Sequence, residues 1–364
     1  MGLQTVILSS IHQRDGRSPK RMYHWRILDG KATGSSHISK SIECQDAYCI
    51  DVLEFPDEAV LVAAVSDGAG SAKFSSIGAE IIATSFVDFV RDSLSDSKGL
   101  ESIDREFGVQ WILICQTRLE KEASRLNQHV SQLAGTFLGV IIGGERAVFF
   151  QVGDGAIVYR PDGEEQDYVL GITPMRQEYA NATHFVSDES AEQQLLFERK
   201  DEKILDITLF SDGLQSVALN LKDDVPHPPF LDKMFTPMRG QEFLYEDLND
   251  QLLAFLNSDV LNRRTDDDRT ILLASRIEGV CEPFHKDESE IRIINKSHDE
   301  SGQGLETDAH DKLDPESVSV SISEKKVSTQ NETEIDTGIK SEDGPVSEES
   351  IQASVVENDA SASD

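Results

Sequence analysis

Basic residues are scarce: 34 Lys and Arg stand against 67 Asp and Glu in 364 residues, a formal net charge of −33. A chain so poor in positive charge lacks the basic patches that offset phosphate, which argues against nucleic acid or an anionic membrane as partner. Cysteine is nearly absent. The four present, Cys44, Cys49, Cys115 and Cys281, form no C-x-x-C pair and no zinc-like spacing with histidine. The chain therefore reads as reduced and cytoplasmic, not as a disulfide scaffold or a zinc module. Long hydrophobic runs are missing too: none approaches the ~18 apolar residues of a membrane span. The first twenty residues carry His12, Arg14, Asp15, Arg17 and Lys20 after a short apolar patch, with no signal-peptide core.

Aromatic residues run out at the C-terminal end. From Lys286 to Asp364 there is no Phe, Tyr or Trp, and 21 acidic residues face 7 basic ones. Such a stretch cannot bury enough apolar area to offset its ordering entropy, so residues 286–364 are expected to form an acidic disordered tail. Its serines and threonines leave room for a second reading, as phosphorylation sites or as a charge that competes with substrate. The rest of the chain divides into an N-terminal extension, 1–21, and one folded domain, 22–280. Overall hydrophobic content of 38% supports a real core.

What is present is a run of acids at strand ends. The apolar run Ala59–Val65 stops at Ser66-Asp67-Gly68-Ala69-Gly70, where the glycines permit a tight turn before a helix. A lone Asp-Gly is ordinary turn chemistry, yet the arrangement recurs three times. Asp154 stands between the apolar runs Ala147–Val152 and Ala156–Tyr159, Asp212 follows Ile207–Phe210, and Asp268 precedes Ile271–Ala274. Four carboxylates at strand ends in distant segments suit a hard cation, because magnesium and manganese take oxygen ligands and keep several waters. The surplus of acid fits that reading.

Periodicity outlines the fold. "DAYCIDVLE" alternates as a strand, and Ala59–Asp67 follows as its hairpin neighbour across Phe55–Glu58. Ile77, Ile81, Ile82, Phe86, Phe89 and Val90 recur at helical spacing, and a second helix is expected over about 107–133. "GTFLGVIIGGERAVFFQVGDGAIVYR" then supplies three strands, the first two joined by the hairpin signal Gly143-Gly144. The segment before residue 46 is mixed in character. Antiparallel runs of strands interrupted by a helical pair predict an α+β protein with two sheets and helices packed outside, not a parallel doubly wound fold.

The order of "QDA" (Gln45–Ala47), "SDGAGS" (Ser66–Ser71), "GT" (Gly135–Thr136), "VGDGAIV" (Val152–Val158), "SDGL" (Ser211–Leu214) and "DDRT" (Asp267–Thr270) resembles the metal-dependent Ser/Thr protein phosphatases of type 2C, especially their compact bacterial branch. The likeness spans about residues 22–277. It implies a four-layer α-β-β-α sandwich of two antiparallel sheets flanked by helices, and a centre of two Mn2+ or Mg2+ ions with a weaker third. On that resemblance Asp67 bridges both metals, the carbonyl of Gly68 binds one, and Asp212 and Asp268 hold the other. Asp154 with Asp212 forms the third site, and Asp46 holds a metal-coordinated water. The implied activity is hydrolysis of phosphoserine and phosphothreonine in proteins by a metal-activated water. The implied partner is a phosphoprotein, with a Ser/Thr kinase encoded nearby as its counterpart, and the enzyme is expected to be a monomer.

Three departures from the family pattern stand out. Gln45 replaces an acid before Asp46, Ala69 occupies a position where animal and plant members often have histidine, and the phosphate-gripping arginine is missing from His37-Ile38-Ser39-Lys40-Ser41. His37 and Lys40 are therefore candidates for gripping phosphate, and His37 for protonating the leaving group, although both are common surface residue types. Gly135 and Thr136 read equally well as a plain strand start. The departures keep open a fold that binds a kinase or phosphoprotein without turnover; the retained acids argue against it. "GAGSAK" as a nucleotide-binding loop lacks the G-K-[S/T] ending of a P-loop. Residues 176–199 and 219–241 are expected to form the variable loops beside the cleft.

Overall fold

The computed structural model describes residues 22–279, apart from 57, 95–96, 164–166, 174–182 and 241–244. The expected N-terminal extension, the acidic tail and Cys281 lie outside the described residues.

The chain opens with strand β1 (Met22–Ala32), a single helical turn α1 (Ser35–Ile38), and the hairpin β2 (Ala47–Glu54) and β3 (Ala59–Ser66). Helices α2 (Ser75–Ser93) and α3 (Arg105–Arg125) follow, then β4 (Phe137–Ile142), β5 (Ala147–Val152), β6 (Ala156–Pro161) and the short β7 (Val169–Leu170). Next come α4 (Ala191–Gln194), β8 (Leu196–Lys200), β9 (Ile204–Phe210), α5 (Gln215–Ala218) and a two-strand ribbon of β10 (Leu219–Asn220) with β11 (Val225–Pro226). Helices α6 (Pro228–Arg239), α7 (Tyr245–Leu256) and α8 (Asp259–Asn262) lead into the last strand, β12 (Arg269–Gly279). One five-stranded sheet has the order β2-β3-β4-β5-β8 and the other β1-β12-β9-β6-β7, with every neighbour antiparallel.

Alternation along the strands explains the layering, because successive side chains point to opposite faces. In β3, Val60, Val62 and Ala64 pack under α2 and α3, whereas Leu61, Ala63 and Val65 join the core between the sheets. Likewise Leu272 and Ala274 of β12 face the inter-sheet core, and Ile271 and Leu273 face α6 and α7. Both faces of each sheet are thus covered, which gives the expected four layers. An unbroken apolar run in β3 or β4 follows directly from that double burial.

Helix α2 buries Ala79, Ile82, Ala83, Phe86, Val87 and Val90 on one stripe. Phe86 meets Trp111 and Phe137 edge-on, with ring centroids 5.3 and 5.0 Å apart. The helix expected over 107–133 stops at Arg125. Asn127 takes a left-handed φ of 52°, Gln128 N–H donates to the Ala123 carbonyl and Asn127 N–H to that of Ser124. That paired C-terminal cap ends the helix, and residues 130–133 form a separate 3-10 turn. The mixed opening segment is strand β1. Its polar residues hid the alternation, but pairing with the apolar β12 along its full length holds it in the sheet.

Register places every candidate acid at one end. Ala47 at the start of β2 pairs with Ser66 at the end of β3, and Phe137 at the start of β4 with Val152 at the end of β5. In the other sheet Ala156 at the start of β6 and Ile271, two residues into β12, both pair with Phe210 at the end of β9. Antiparallel neighbours reverse direction, so strand starts and strand ends alternate along one rim of the sandwich. At the opposite rim Arg276 donates to the carbonyls of Gly143 and Gly144 and lies over the Trp25 ring at 4.7 Å.

Candidate metal centre

At the rim the chain crosses between sheets through Gly153-Asp154-Gly155. Both glycines have left-handed φ, 86° and 85°, which side-chain-bearing residues rarely adopt. The bend takes the chain out of β5 and into β6 and leaves Asp154, half-exposed, at its tip, where it accepts a hydrogen bond from Thr183 Oγ1 at 3.1 Å.

The Asp67 turn is held by the segment before β4. Thr136 N–H donates to the Asp67 carbonyl at 2.8 Å, Thr136 Oγ1 accepts from Asp67 N–H at 3.1 Å, and Gly68 forms a bridge to Gly135. Gly135 and Thr136 are therefore the brace of this turn. Gly68 also lies so close to the preceding acidic loop that a Cβ there would stand 2.6 Å from the Gln45 carbonyl oxygen.

Asp46 is almost fully buried. Its Oδ2 accepts from Ser211 Oγ at 2.8 Å, its backbone carbonyl accepts from Lys31 Nζ at 2.7 Å, and its Oδ1 has no hydrogen-bond partner. Asp212, on the turn after β9, likewise has a buried Oδ1 without a partner. Burial first, then neighbouring carboxylates, raise the pKa values here: Asp67 is pushed well up by burial and by the charges of Asp46 and Asp212. Asp212 is raised by burial and by Asp154 and Asp267, and Asp46 by burial and Asp268. Asp67 and Asp212 are within hydrogen-bonding reach of each other. Among the described residues no cationic side chain pairs with Asp46, Asp67 or Asp212.

The expected ligand Asp268 has both carboxylate oxygens engaged by backbone donors. Its Oδ1 accepts from Gly34 N–H at 2.7 Å and its Oδ2 from Gln45 N–H at 2.6 Å, and His37 Nδ1 lies 2.9 Å from Oδ2, off the line of a hydrogen bond. The neighbouring Asp267 is exposed and projects its charge onto Asp67 and Asp212. Asp268 thus clamps the loop that carries Asp46, and Asp267 is the neighbouring acid whose charge raises the pKa of Asp67 and Asp212. Consecutive residues entering a strand point to opposite sides, so a one-residue shift exchanges the two roles.

His37, 8% exposed, is not a free surface group; Lys40 is exposed on the turn after α1. Gln45 is buried with its Oε1 unpartnered. Ala69 packs with Ala72, Ala134 and the partly buried Phe185, a small apolar cluster at the position where animal and plant members often have histidine. Of the two expected variable loops, residues 174–182 lie outside the described residues, Leu196–Lys200 is the sheet-edge strand β8, and most of 219–241 is α6. Sequence reasoning missed Asp267, Ser211 and Lys31. Only "TDDDRT", with three consecutive acids, carried any signal for the first.

The carboxylates are neighbours and not a closed cage: among the described residues no group of three or more His, Cys, Asp or Glu is arranged to hold a metal ion. The donor set still suits one. Unpartnered buried oxygens on Asp46 and Asp212, and acids that raise one another's pKa with no cation between them, are what a hard divalent ion relieves.

The protein phosphatase 2C family model matches residues 33–257. The chain is similar to serine/threonine-protein phosphatase 3 of Escherichia coli (strain K12), 34% identical over 253 residues that cover 69% of this chain and 98% of that one. Among solved structures it is similar to the serine/threonine phosphatase Stp1 from Staphylococcus aureus, at 16% identity and a TM-score of 0.47, covering 73% of this chain and 100% of that one. A second is the catalytic domain of the serine/threonine protein phosphatase PstP in complex with two manganese ions, at 12% identity and a TM-score of 0.44, covering 71% of this chain and 100% of that one.

Proposed function

The chain belongs to the protein phosphatase 2C family and is a serine/threonine phosphoprotein phosphatase, and from that premise we propose how its residues divide the work. Asp67, Asp212 and Asp267, with the Gly68 carbonyl, hold two manganese or magnesium ions at the rim of the sandwich, and Asp154 with Asp212 holds a weaker third. The observation that carries this is the pair of buried, unpartnered oxygens, Asp46 Oδ1 and Asp212 Oδ1, inside a cluster of mutually destabilised carboxylates. When bound, such ions supply an activated water and offset charge on the phosphoryl oxygens.

The chain's own residues do the rest. Asp46, fixed by Ser211, has one free oxygen to orient a water or take its proton. Asp268 keeps the 34–45 loop against the site through two backbone N–H groups. His37 stands on that loop as the group to protonate a serine or threonine leaving oxygen, and Lys40, exposed beside it, as the group to meet phosphate in place of the missing arginine. Lys31, already at the Asp46 carbonyl, is a second cation for that task. The substrate is a phosphorylated protein and the opposing enzyme a Ser/Thr kinase encoded nearby. The few thiols and the acidic surface suit a monomer in the cytoplasm; among the described residues no helix is long and apolar enough to cross a membrane.

The reading is tested by titrating manganese into chelator-stripped protein by calorimetry and assaying an aryl phosphate in parallel. Wild type should bind at least two ions and hydrolyse only when loaded, and Asp67→Asn should lose both properties. Hydrolysis that survives metal removal, or unchanged metal binding in Asp67→Asn, would reject the assignment. A protein that binds metal and a phosphopeptide yet turns over neither substrate would instead be a regulator built on the same fold.

A further inference from the structure

On the outer face of the second sheet, α6, α7 and α8 do not close over one another. Between them runs a groove of about 540 Å3 whose floor and walls include Phe230, Met234, Phe255 and Val260. Val260 is 62% exposed, and Phe230, Met234 and Phe255 are only partly buried. The charge at this groove is unusual for the chain that bears it. Acids outnumber bases 67 to 34 overall, yet among the described residues no Asp or Glu lines the groove, and its charged side chains are Lys233 and Arg264. Both are exposed, and among the described residues neither is in an ion pair. In contrast Arg91, Arg146 and Arg160 all have carboxylate partners.

We propose that this groove docks a segment of a protein partner that combines two or three large apolar side chains with flanking carboxylates. Apolar walls supply the burial and the two unpaired cations set the sign of the charge that fits, which an acidic segment satisfies and a basic one does not. Continuity with the metal centre gives docking a use. Val217 in the groove wall lies five residues after Asp212, and Arg264 three residues before Asp267. A phosphoprotein held here by one segment presents its phosphorylated residue to the rim at high effective concentration. This last step rests on the phosphatase reading above; the docking itself does not.

The experiment uses the full chain loaded with manganese and a phage-displayed library of random 16-residue peptides, counter-selected against the double variant Lys233→Glu/Arg264→Glu. Enriched peptides should carry aromatic or aliphatic residues together with Asp or Glu. The double variant should weaken their binding on the order of tenfold, since attraction becomes repulsion at two rim positions, and raised salt should weaken wild-type binding as well. Met234→Gln should weaken binding at all salt concentrations. Fusing a selected peptide to a phosphothreonine substrate should lower KM with kcat unchanged in wild type, and not in the double variant. Aryl phosphate hydrolysis should be equal in both proteins, so a failure of docking is separable from a failure of catalysis. No enrichment over the double variant, enrichment of basic peptides, or a concentration-dependent dimer in sedimentation that Met234→Gln abolishes would each overturn the proposal, the last by assigning the groove to a second copy of the chain.

Discussion

Replacing Asp268 and Asp267 one at a time separates a clamp from a ligand. Alanine at 268 strands two buried backbone donors, Gly34 N–H and Gln45 N–H, which now reach carboxylate oxygens at 2.7 and 2.6 Å. A buried donor left unsatisfied costs ~1–3 kcal/mol, so the pair should cost about 2–6 kcal/mol. In a domain of this size each kcal/mol moves the thermal midpoint by roughly 2–4 °C, giving a fall of about 4–24 °C. That fall should appear in chelator, because it arises from protein contacts alone. Asp267 is exposed, and among the described residues its Oδ1 accepts only the adjacent Asp268 N–H, at 2.8 Å. Asp267→Ala should therefore leave the midpoint in chelator unchanged or slightly raised, since it removes a charge that disfavours ionised Asp67 and Asp212. Its manganese affinity should drop at least tenfold by calorimetry. If Asp268→Ala keeps its midpoint in chelator and loses manganese while Asp267→Ala binds it normally, the clamp argument is refuted and Asp268 is the ligand.

Three further expectations follow from the same geometry. Asp46, Asp67 and Asp212 all have folded-state pKa values raised above the ordinary 3.8, Asp46 to about 7. Their contribution to stability is thus full below pH ~4 and lost as pH rises through the folded values, so chelated protein should lose thermal midpoint between about pH 4 and 8. Added manganese should restore it increasingly as pH rises, and a metal-induced shift that is the same at pH 5 and pH 8 would contradict this. His37→Ala should slow hydrolysis of a phosphothreonine peptide more than that of an aryl phosphate, whose leaving group needs little protonation; equal loss on both would make His37 a packing residue. Gly153→Ala forces a side chain into φ 86° with its Cβ 2.6 Å from the His184 carbonyl oxygen. It should cost at least ~1–2 kcal/mol, visible as a lowered midpoint in chelator, together with weaker occupancy of the third metal site.

Local pattern was enough to read most of the architecture. Alternation and apolar runs located β2 to β5, helical spacing located α2, and the count of strands against helices excluded a parallel fold, because these periods are properties of the chain itself. Asp67, Asp154, Asp212 and Asp268 stood out for a related reason: a carboxylate at the end of an apolar strand is costly unless something at the rim uses it, whereas Asp46 was named only through the family resemblance. Pairing decided the rest. β1 is a strand because β12 lies alongside it, and α3 ends early because Asn127 caps it. Whether the chain after Gly153 stays in its sheet or crosses to the other depends on which strand receives Ala156, and that strand is β9, some fifty residues away. Asp267 and Asp268 differ by one position and by nothing in composition. Which of them clamps the loop that carries Asp46 and which lies exposed beside it is set by the register of β12 and by the two backbone donors of that loop, more than two hundred residues earlier in the chain. Those donors and that register exist only once the sheets have assembled, so no reading confined to neighbours in sequence could have told the two acids apart.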